Sequence, residues 1–221
     1  MQLILASNSP RRKQLLALSG WDFVARSADV DETTLPDEVP LRYVLRLAQA
    51  KAPEVAKSSS ADSIILAADT TVVDRRRMEG EMREVILGKP VDTLEAEQML
   101  RRLRGRTHQV YTGLALLRAA DGLLLTDWCV TVVPMRNYTD EEIQAYISSG
   151  DPMDKAGAYA IQHPGFHPVE NLTGCYANVV GLPLCHATRL LERMGALPGP
   201  NPALACRSPL PHTCQINRLV L

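Results

Sequence analysis

Two long β-like segments constrain the fold of this chain more than any other feature. Residues Val110–Leu117 and Leu123–Met135 are rich in apolar and β-branched side chains. They are separated by Asp121-Gly122, a dipeptide that is typical of hairpin turns. Other segments have the apolar spacing and the end signals of helices. The mixed order of helices and strands predicts an α/β protein whose sheet is partly antiparallel.

Further elements are predicted on both sides of this hairpin. Apolar runs predict strands at Leu3–Ala6, Trp21–Val24, Ser63–Ala68 and Tyr176–Val180. Capping residues and one-sided apolar spacing predict helices from Pro10 to about Leu18, from Pro40, from Asp92 to Leu103, from Thr139 to about Ser148 and from Leu184 to Met194. Pro53 either kinks the helix that begins at Pro40 or ends it.

Composition excludes several classes of protein. The 221 residues carry a formal net charge of −1, with 46% hydrophobic and 22% charged residues. This balance is that of a soluble globular protein and disfavours a basic protein that coats nucleic acid. No apolar run reaches the length of about 18 residues that spans a membrane. The N-terminus lacks the pattern of a signal peptide, so we expect a cytoplasmic protein, with its five cysteines as buried thiols.

The amino-acid composition and the hydrophobic pattern of the sequence change after Gly195. Five prolines crowd the segment that follows, and hydrophobic periodicity is weak there. We therefore predict a folded domain over residues 1–196 and a Pro-rich, extended or disordered tail over residues 197–221.

The segment from Ser7 to Arg12 is the strongest candidate for an anion site. It places hydroxyl groups and two arginines where a strand turns into a helix. A helix N-terminus offers unpaired N–H groups and partial positive charge, and arginine matches phosphate oxygens. An ordinary capped helix with two solvated arginines is the alternative.

Asp69 and Lys89 are two further candidate site residues, and the sequence evidence for each of them alone is weaker. Asp69, followed by Thr70, comes directly after the apolar run Ser63–Ala68. A carboxylate at the end of a buried strand is well placed for metal binding or for general-base catalysis, although a turn-forming aspartate is the more common outcome. Lys89 lies in a stiff Gly-Lys-Pro loop, which follows a predicted hairpin over Asp74–Val85.

Several ordered motifs together make the chain resemble the Maf family of nucleoside triphosphate pyrophosphatases. The resemblance covers about residues 1–196. Its motifs are Ser7-Asn8-Ser9-Pro10-Arg11-Arg12, Asp29-Val30-Asp31-Glu32, Leu47-Ala48-Gln49-Ala50-Lys51-Ala52, Ala68-Asp69-Thr70, Gly88-Lys89-Pro90, the run from Asp154 to Gln162 and the run from Asn178 to Leu184.

The resemblance implies a fold, a reaction and a site. The expected fold is an elongated α/β structure with a mixed twisted sheet and two lobes around a central cleft, similar to inosine triphosphatases. The expected reaction splits a nucleoside triphosphate into the monophosphate and pyrophosphate. Asp69 would be the general base and, with Glu32, would hold a divalent cation such as Mg²⁺, Mn²⁺ or Co²⁺. The residues implied to hold the phosphates are Ser7, Arg11, Arg12, Lys51 and Lys89.

The same resemblance suggests a substrate class. Thr70 and Gln162, together with Arg11, look like the subgroup that acts on dTTP, UTP and modified pyrimidine nucleotides. An amide at position 162 both donates and accepts hydrogen bonds, which suits the edge of a uracil or thymine ring. A 7-methyl-GTP pyrophosphatase and a non-catalytic, nucleotide-binding regulator of septum formation are the alternatives. A homodimer is the family expectation, and we expect neither a nucleic-acid nor a membrane partner.

Overall fold

A mixed sheet organises the molecule. The computed structural model describes residues 1–78, 80–196 and 206. Within these residues six strands form one sheet in the order β2-β1-β3-β5-β6, and β4 pairs with β3. The strands are β1 (Gln2–Leu5), β2 (Phe23–Ala25), β3 (Ser63–Met78), β4 (Glu81–Leu87), β5 (Thr107–Arg118) and β6 (Leu124–Pro134).

Helices cover both faces of this sheet. They are α1 (Pro10–Ala17), α2 (Pro40–Ala56), α3 (Thr93–Leu103), α4 (Asp140–Ser148), α5 (Tyr176–Val180) and α6 (Leu184–Arg193). Two short 3₁₀ turns, Asp151–Asp154 and Ala156–Ala158, follow α4. Pro53 lies inside α2, which continues beyond it to Ala56.

The strand directions confirm the predicted α/β class. β1 runs parallel to both β2 and β3, whereas β4, β5 and β6 pair antiparallel with their neighbours. The long pairing of β5 with β6 is the hairpin predicted around Asp121-Gly122, and Gly122 has a φ of 73° in its turn. β3 and β4 form the other predicted hairpin, in which Asp74 lies opposite Val85.

The apolar core is divided between two regions of the sheet. In the first region, alternate β3 residues face opposite sides: Leu66 packs towards α1 and α6, whereas Ile65 packs towards α2. In the second region, Val72 and Val110 pack with side chains from α3, α4 and the 3₁₀ turns. We call these regions the first core and the second core. β3 and β5 contribute residues to both of them.

A gap in the strand pairing marks the boundary between the two cores. β1 pairs with β3 only as far as Leu66, and β4 pairs with it only from Val72 onwards. Since β5 pairs with Val72 and Val73 on the other edge of β3, β1 and β4 share one edge. On that edge residues 67–71 of β3 have no partner strand among the described residues. The chain leaves β1 at Leu5 and β4 at Leu87, both beside this gap.

Two sequence predictions differ from the structure. Tyr176–Val180 is a five-residue helix and not a strand, because Cys175 caps its start and Gly181, with a φ of 118°, ends it. The strand predicted over Ser63–Ala68 continues to Met78, because β5 and then β4 pair with its polar half. Asp69 therefore lies within β3 and not at its end.

The tail predicted over residues 197–221 lies outside the described residues except for Cys206, which is buried against the first core. In the described part of the chain, no helix is both long enough and apolar enough to cross a membrane.

Candidate active site

One cleft brings together every site residue that the sequence predicts. Its volume is about 640 Å³, and it opens at the gap in the pairing of β3. Residues from both sides of the gap line it, on the turn after β1, on β3, α1 and α2, on the turn after β4 and on the segment 154–162. The predicted residues that line it are Ser7, Arg11, Arg12, Glu32, Lys51, Asp69, Thr70, Lys89 and Gln162.

The turn between β1 and α1 forms one wall of the cleft. Ser9 is the N-cap of α1, and its side chain accepts a hydrogen bond from the backbone N–H of Arg12. Pro10 follows as the first helical residue, as predicted. The Ser7 hydroxyl is buried and accepts the backbone N–H of Ser9 at 3.1 Å. This local order directs the first turn of α1, with its partial positive charge, towards the cleft.

Arg12 is fixed by contacts on three of its nitrogen atoms. Its Nε donates to the carbonyl oxygen of Gly181 at 2.9 Å, and its Nη2 donates to Thr70 Oγ1 at 3.1 Å. Its Nη1 donates to Ser7 Oγ at 3.4 Å. Burial lowers the pKa of Arg12, and Asp69 acts in the opposite direction. A guanidinium held in this way presents a rigid fork to an anion.

Helix α2 carries Lys51 to the buried carboxylate of Asp69. Lys51 Nζ donates to Asp69 Oδ1 at 2.6 Å, and both side chains are 9% exposed. The close approach of α2 depends on Gly113, which pairs with Asp69 across the β-ladder. A Cβ at Gly113 would lie 2.6 Å from the backbone of Val44 in α2. The absence of a side chain there lets α2 pack directly on the sheet.

The two carboxylates of the site have opposite pKa shifts. Burial raises the pKa of Asp69, although the charges of Lys51 and Arg12 oppose this effect. Burial also acts to raise the pKa of Glu32, but the hydrogen bond from Lys51 and the nearby positive charges outweigh it and lower that pKa. Lys51 Nζ donates to Glu32 Oε1 at 2.6 Å, so it bridges the two carboxylates. Lys89 Nζ lies 3.8 Å from the other oxygen of Glu32.

The opposite wall contributes residues that the sequence analysis did not assign to the site. Asp154 Oδ2 accepts a hydrogen bond from Arg11 at 3.0 Å, which links the second core to α1 across the cleft. Lys155 is buried and donates to Asp154 and Asp151. Tyr43 lines the cleft from α2. Asp154 and Lys155 belong to the motif that runs from Asp154 to Gln162, but the pairing of Asp154 with Arg11 depends on the tertiary structure.

The donor set around Asp69 fits a divalent cation bound together with a phosphate ligand. Glu32 and Asp69 both contact Lys51 Nζ at 2.6 Å, so their oxygens lie close together. The described residues contain no group of three acidic, histidine or cysteine side chains that would form a complete protein site. Mg²⁺ typically uses one or two carboxylates and completes its coordination with water and substrate phosphates. These two carboxylates fit that pattern.

A family model and named relatives match this chain over most of its length. The family model described as Maf-like protein matches residues 2–194. A dTTP/UTP pyrophosphatase of Geotalea uraniireducens is 47% identical over 195 residues, which are 88% of this chain and 96% of that protein. A dTTP/UTP pyrophosphatase of Hahella chejuensis is 45% identical over 196 residues, which are 88% and 92% of the two chains.

Two solved structures also match, at low similarity. The Ham1 protein of Staphylococcus aureus is 14% identical with a TM-score of 0.45, and the match covers 88% of this chain and 97% of that one. A nucleoside-triphosphatase, or dITP/XTP pyrophosphatase, of Mycobacterium abscessus is 15% identical with a TM-score of 0.41, covering 95% and 100%. The family model and the two pyrophosphatases show that the chain belongs to the Maf family.

Proposed function

We propose that the protein is a hydrolase that cleaves dTTP and UTP between the α and β phosphates, releasing the nucleoside monophosphate and pyrophosphate. One observation carries this proposal. A buried carboxylate, Asp69, lies in the same cleft as Arg11, Arg12, Lys51 and Lys89. The names of relatives that are 42–48% identical over most of this chain support the same substrates.

The positive side chains suit a triphosphate and its leaving group. Both Arg12 and Lys51 lie near Asp69, since Arg12 contacts the neighbouring Thr70 and Lys51 contacts Asp69 itself. We propose that these two groups, with Ser7, Arg11 and Lys89, bind the phosphates. Charge builds up on the phosphate oxygens as the bond breaks, and positive groups fixed beforehand stabilise it at little reorganisation cost.

Asp69 is suited to accept a proton from the attacking water. In the proposed step, the water oxygen forms a bond to the α-phosphorus while the bond from the α-phosphorus to the oxygen that bridges it to the β-phosphorus breaks. The pyrophosphate leaves with that bridging oxygen and its electron pair. The proton of the water passes to Asp69, whose raised pKa makes it a better base than an exposed aspartate.

A divalent cation is part of the proposal. Glu32 and Asp69 would hold it, and when bound it would neutralise charge on the phosphates. Lys51 keeps the two carboxylates close together by contacting both.

Recognition of a pyrimidine base is assigned to Gln162. This residue is exposed and lines the cleft on the wall opposite α1. Its amide provides both a donor and an acceptor, as the edge of uracil or thymine requires.

Product analysis with a panel of nucleotides tests the proposal. The purified protein is incubated with UTP, dTTP, CTP and 7-methyl-GTP in the presence of Mg²⁺, Mn²⁺ or Co²⁺, and pyrophosphate is separated from orthophosphate. We expect UMP and dTMP with equimolar pyrophosphate. Equal or faster turnover of 7-methyl-GTP would contradict the assigned substrate, and the absence of turnover for all four nucleotides would contradict the enzymatic function.

A homodimer and a cytoplasmic location complete the proposal. The expected mass in sedimentation equilibrium is twice that of the 24.3 kDa chain. A monomer at micromolar concentration would contradict the dimer.

A further inference from the structure

The hydroxyl of Thr70 is the centre of a polar chain that leads from a buried strand to Arg12. Thr70 Oγ1 accepts a hydrogen bond from Arg12 Nη2 at 3.1 Å. It lies 2.9 Å from the hydroxyl of Thr112 and 3.4 Å from the carbonyl oxygen of Gly181. Thr112 Oγ1 in turn lies 3.3 Å from the carbonyl oxygen of Asn178.

Protein groups surround the hydroxyl of Thr70 and compete with any ligand for its hydrogen-bonding capacity. A hydroxyl group has one hydrogen and two lone pairs. If Thr112 donates to Asn178, then Thr70 donates to Thr112. If Thr112 donates to Thr70 instead, the carbonyl oxygen of Gly181, 3.4 Å away, is the protein acceptor within reach of the Thr70 hydrogen. In both arrangements one lone pair of Thr70 is used by Arg12, and a protein acceptor lies near the Thr70 hydrogen.

Thr112 belongs to this series of hydrogen bonds but lies where a ligand does not reach it. Its side chain is fully buried, and it does not line the cleft. It lies directly opposite Thr70 in the pairing of β3 with β5. The polar chain therefore fixes the side-chain rotamer of Thr70 from behind, and Thr70 fixes one end of the Arg12 guanidinium.

We propose that Thr112 is a positioning residue that orients Arg12 for phosphate binding through the hydroxyl of Thr70. The inference rests on the proposed function insofar as the anion that Arg12 binds is the triphosphate of the substrate. It assigns the hydroxyl of Thr70 to the arginine and not to the nucleobase, so that base selectivity depends on other residues.

The test compares threonine variants by their binding of an anion that has no base. Thr112→Val keeps the shape of the side chain and removes its hydroxyl, and Thr112→Ser restores the hydroxyl. Thr131→Val is the matched control, because Thr131 is a buried threonine on β6 that bonds to Asn178 but contacts neither Thr70 nor Arg12. Affinity for inorganic tripolyphosphate is measured by calorimetry, and kcat and KM are measured for UTP and CTP.

The expected results distinguish a role of Thr112 in orienting Arg12 from a role in packing the protein core. Thr112→Val weakens tripolyphosphate binding and raises the KM for UTP, each by about tenfold, because one support of a charged phosphate ligand is lost. The UTP to CTP preference is unchanged. Thr112→Ser recovers most of the affinity, and Thr131→Val binds tripolyphosphate like the wild type.

Other results would overturn the inference. Equal tripolyphosphate affinity in the wild type and Thr112→Val would contradict it, as would equal losses in Thr112→Val and Thr131→Val. Should Thr112→Val not fold, Thr70→Val tests the same contact at a half-buried site. A Thr70→Val variant with an altered UTP to CTP preference and unchanged tripolyphosphate affinity would assign Thr70 to base recognition instead.

Failure of the proposed function is distinguishable from failure of this inference. A wild-type protein that binds tripolyphosphate but does not hydrolyse UTP contradicts only the proposed function. A wild-type protein that does not bind tripolyphosphate contradicts the role of Arg12 and with it the inference.

Discussion

Asp69 combines two properties that favour a general base: it is buried, and positive groups surround it. Burial raises its pKa, which increases its affinity for a proton, while Lys51 and Arg12 keep the carboxylate form accessible. The same charges would be costly to bury without partners. The negative charge of Asp69 is thus supported by these two positive partners.

Replacing Asp69 by asparagine tests its chemical role. We expect Asp69→Asn to lower kcat for UTP by at least about a hundredfold, the usual contribution of a general base. Asp127→Asn is the matched control, because Asp127 is also a largely buried carboxylate, which is hydrogen-bonded to His186 and ion-paired with Arg189, but does not line the cleft. Steady-state kinetics with product separation measures both. Turnover of Asp69→Asn close to that of Asp127→Asn would remove Asp69 from the role of base.

His108 makes the stability of the protein sensitive to acid. It is buried, and its Nε2 lies 2.8 Å from the hydroxyl of Tyr159. Burial lowers its pKa from 6.5 to about 4, and Asp74 opposes the shift. As the pH falls, the unfolded chain therefore takes up a proton on this histidine near pH 6.5, whereas the native state takes one up only near pH 4. The stabilisation is complete above that pH and is lost as the pH falls towards 4.

A His108→Gln variant isolates this contribution. Between pH 7.5 and pH 5 the wild type should lose about 2 kcal/mol of unfolding free energy that the variant retains. Urea denaturation at the two pH values measures the difference. An equally steep loss in the variant would show that other groups cause the acid sensitivity.

At the scale of elements, the helix starts could be predicted from the sequence, because neighbouring residues determine them. Ser9 and Pro10 begin α1, and Thr139 with Glu142 forms a capping box at α4, as expected from neighbouring residues alone. The prediction of a strand at Tyr176–Val180 was wrong because the β-branched residues of this segment favour strands. Burial against β5 and β6 and the caps at its two ends outweigh that preference.

The contact of α2 with β5 is the element-scale feature on which the site depends most. A Gly113→Ala substitution places a Cβ against the α2 backbone. We expect it to destabilise the protein by about 1–3 kcal/mol, the usual cost of overpacking, and to lower activity because α2 carries Lys51. Gly88→Ala is the control for stability, since a Cβ there meets no atom within 4 Å. Equal unfolding free energies for the two variants would contradict this packing argument.

At the scale of the whole molecule, an almost neutral chain concentrates positive charge in one cleft. The formal net charge is −1, yet positive side chains outnumber carboxylates in the cavity lining: Arg11, Arg12, Lys51, Lys89 and Lys155 against Glu32, Asp69 and Asp154. The site residues were predictable because each belongs to a short motif. Their mutual contacts were not, because Asp154 meets Arg11 from 143 positions away and Thr112 meets Thr70 across the sheet.

This concentration predicts a salt-dependent affinity. Raising the NaCl concentration from about 0.05 to about 0.5 M should increase the KM for UTP several-fold, because exposed charges are screened at that ionic strength. Lys89→Gln should reduce the dependence, since Lys89 is exposed at the cleft. Lys57→Gln, which removes an exposed lysine outside the cleft, should not reduce it. A KM that is independent of salt would contradict electrostatic attraction of the substrate.

The single strand β3 has a consequence for how the molecule unfolds. It contributes Ile65 and Leu66 to the first core and Val72 to the second, and Asp69 lies between them. Neither core retains its central strand if the other one melts. The two halves should therefore unfold in one cooperative transition, with calorimetric and van't Hoff enthalpies in agreement. The residues on which catalysis depends lie in the segment whose order requires both halves to be folded, so partial unfolding of either half would abolish activity.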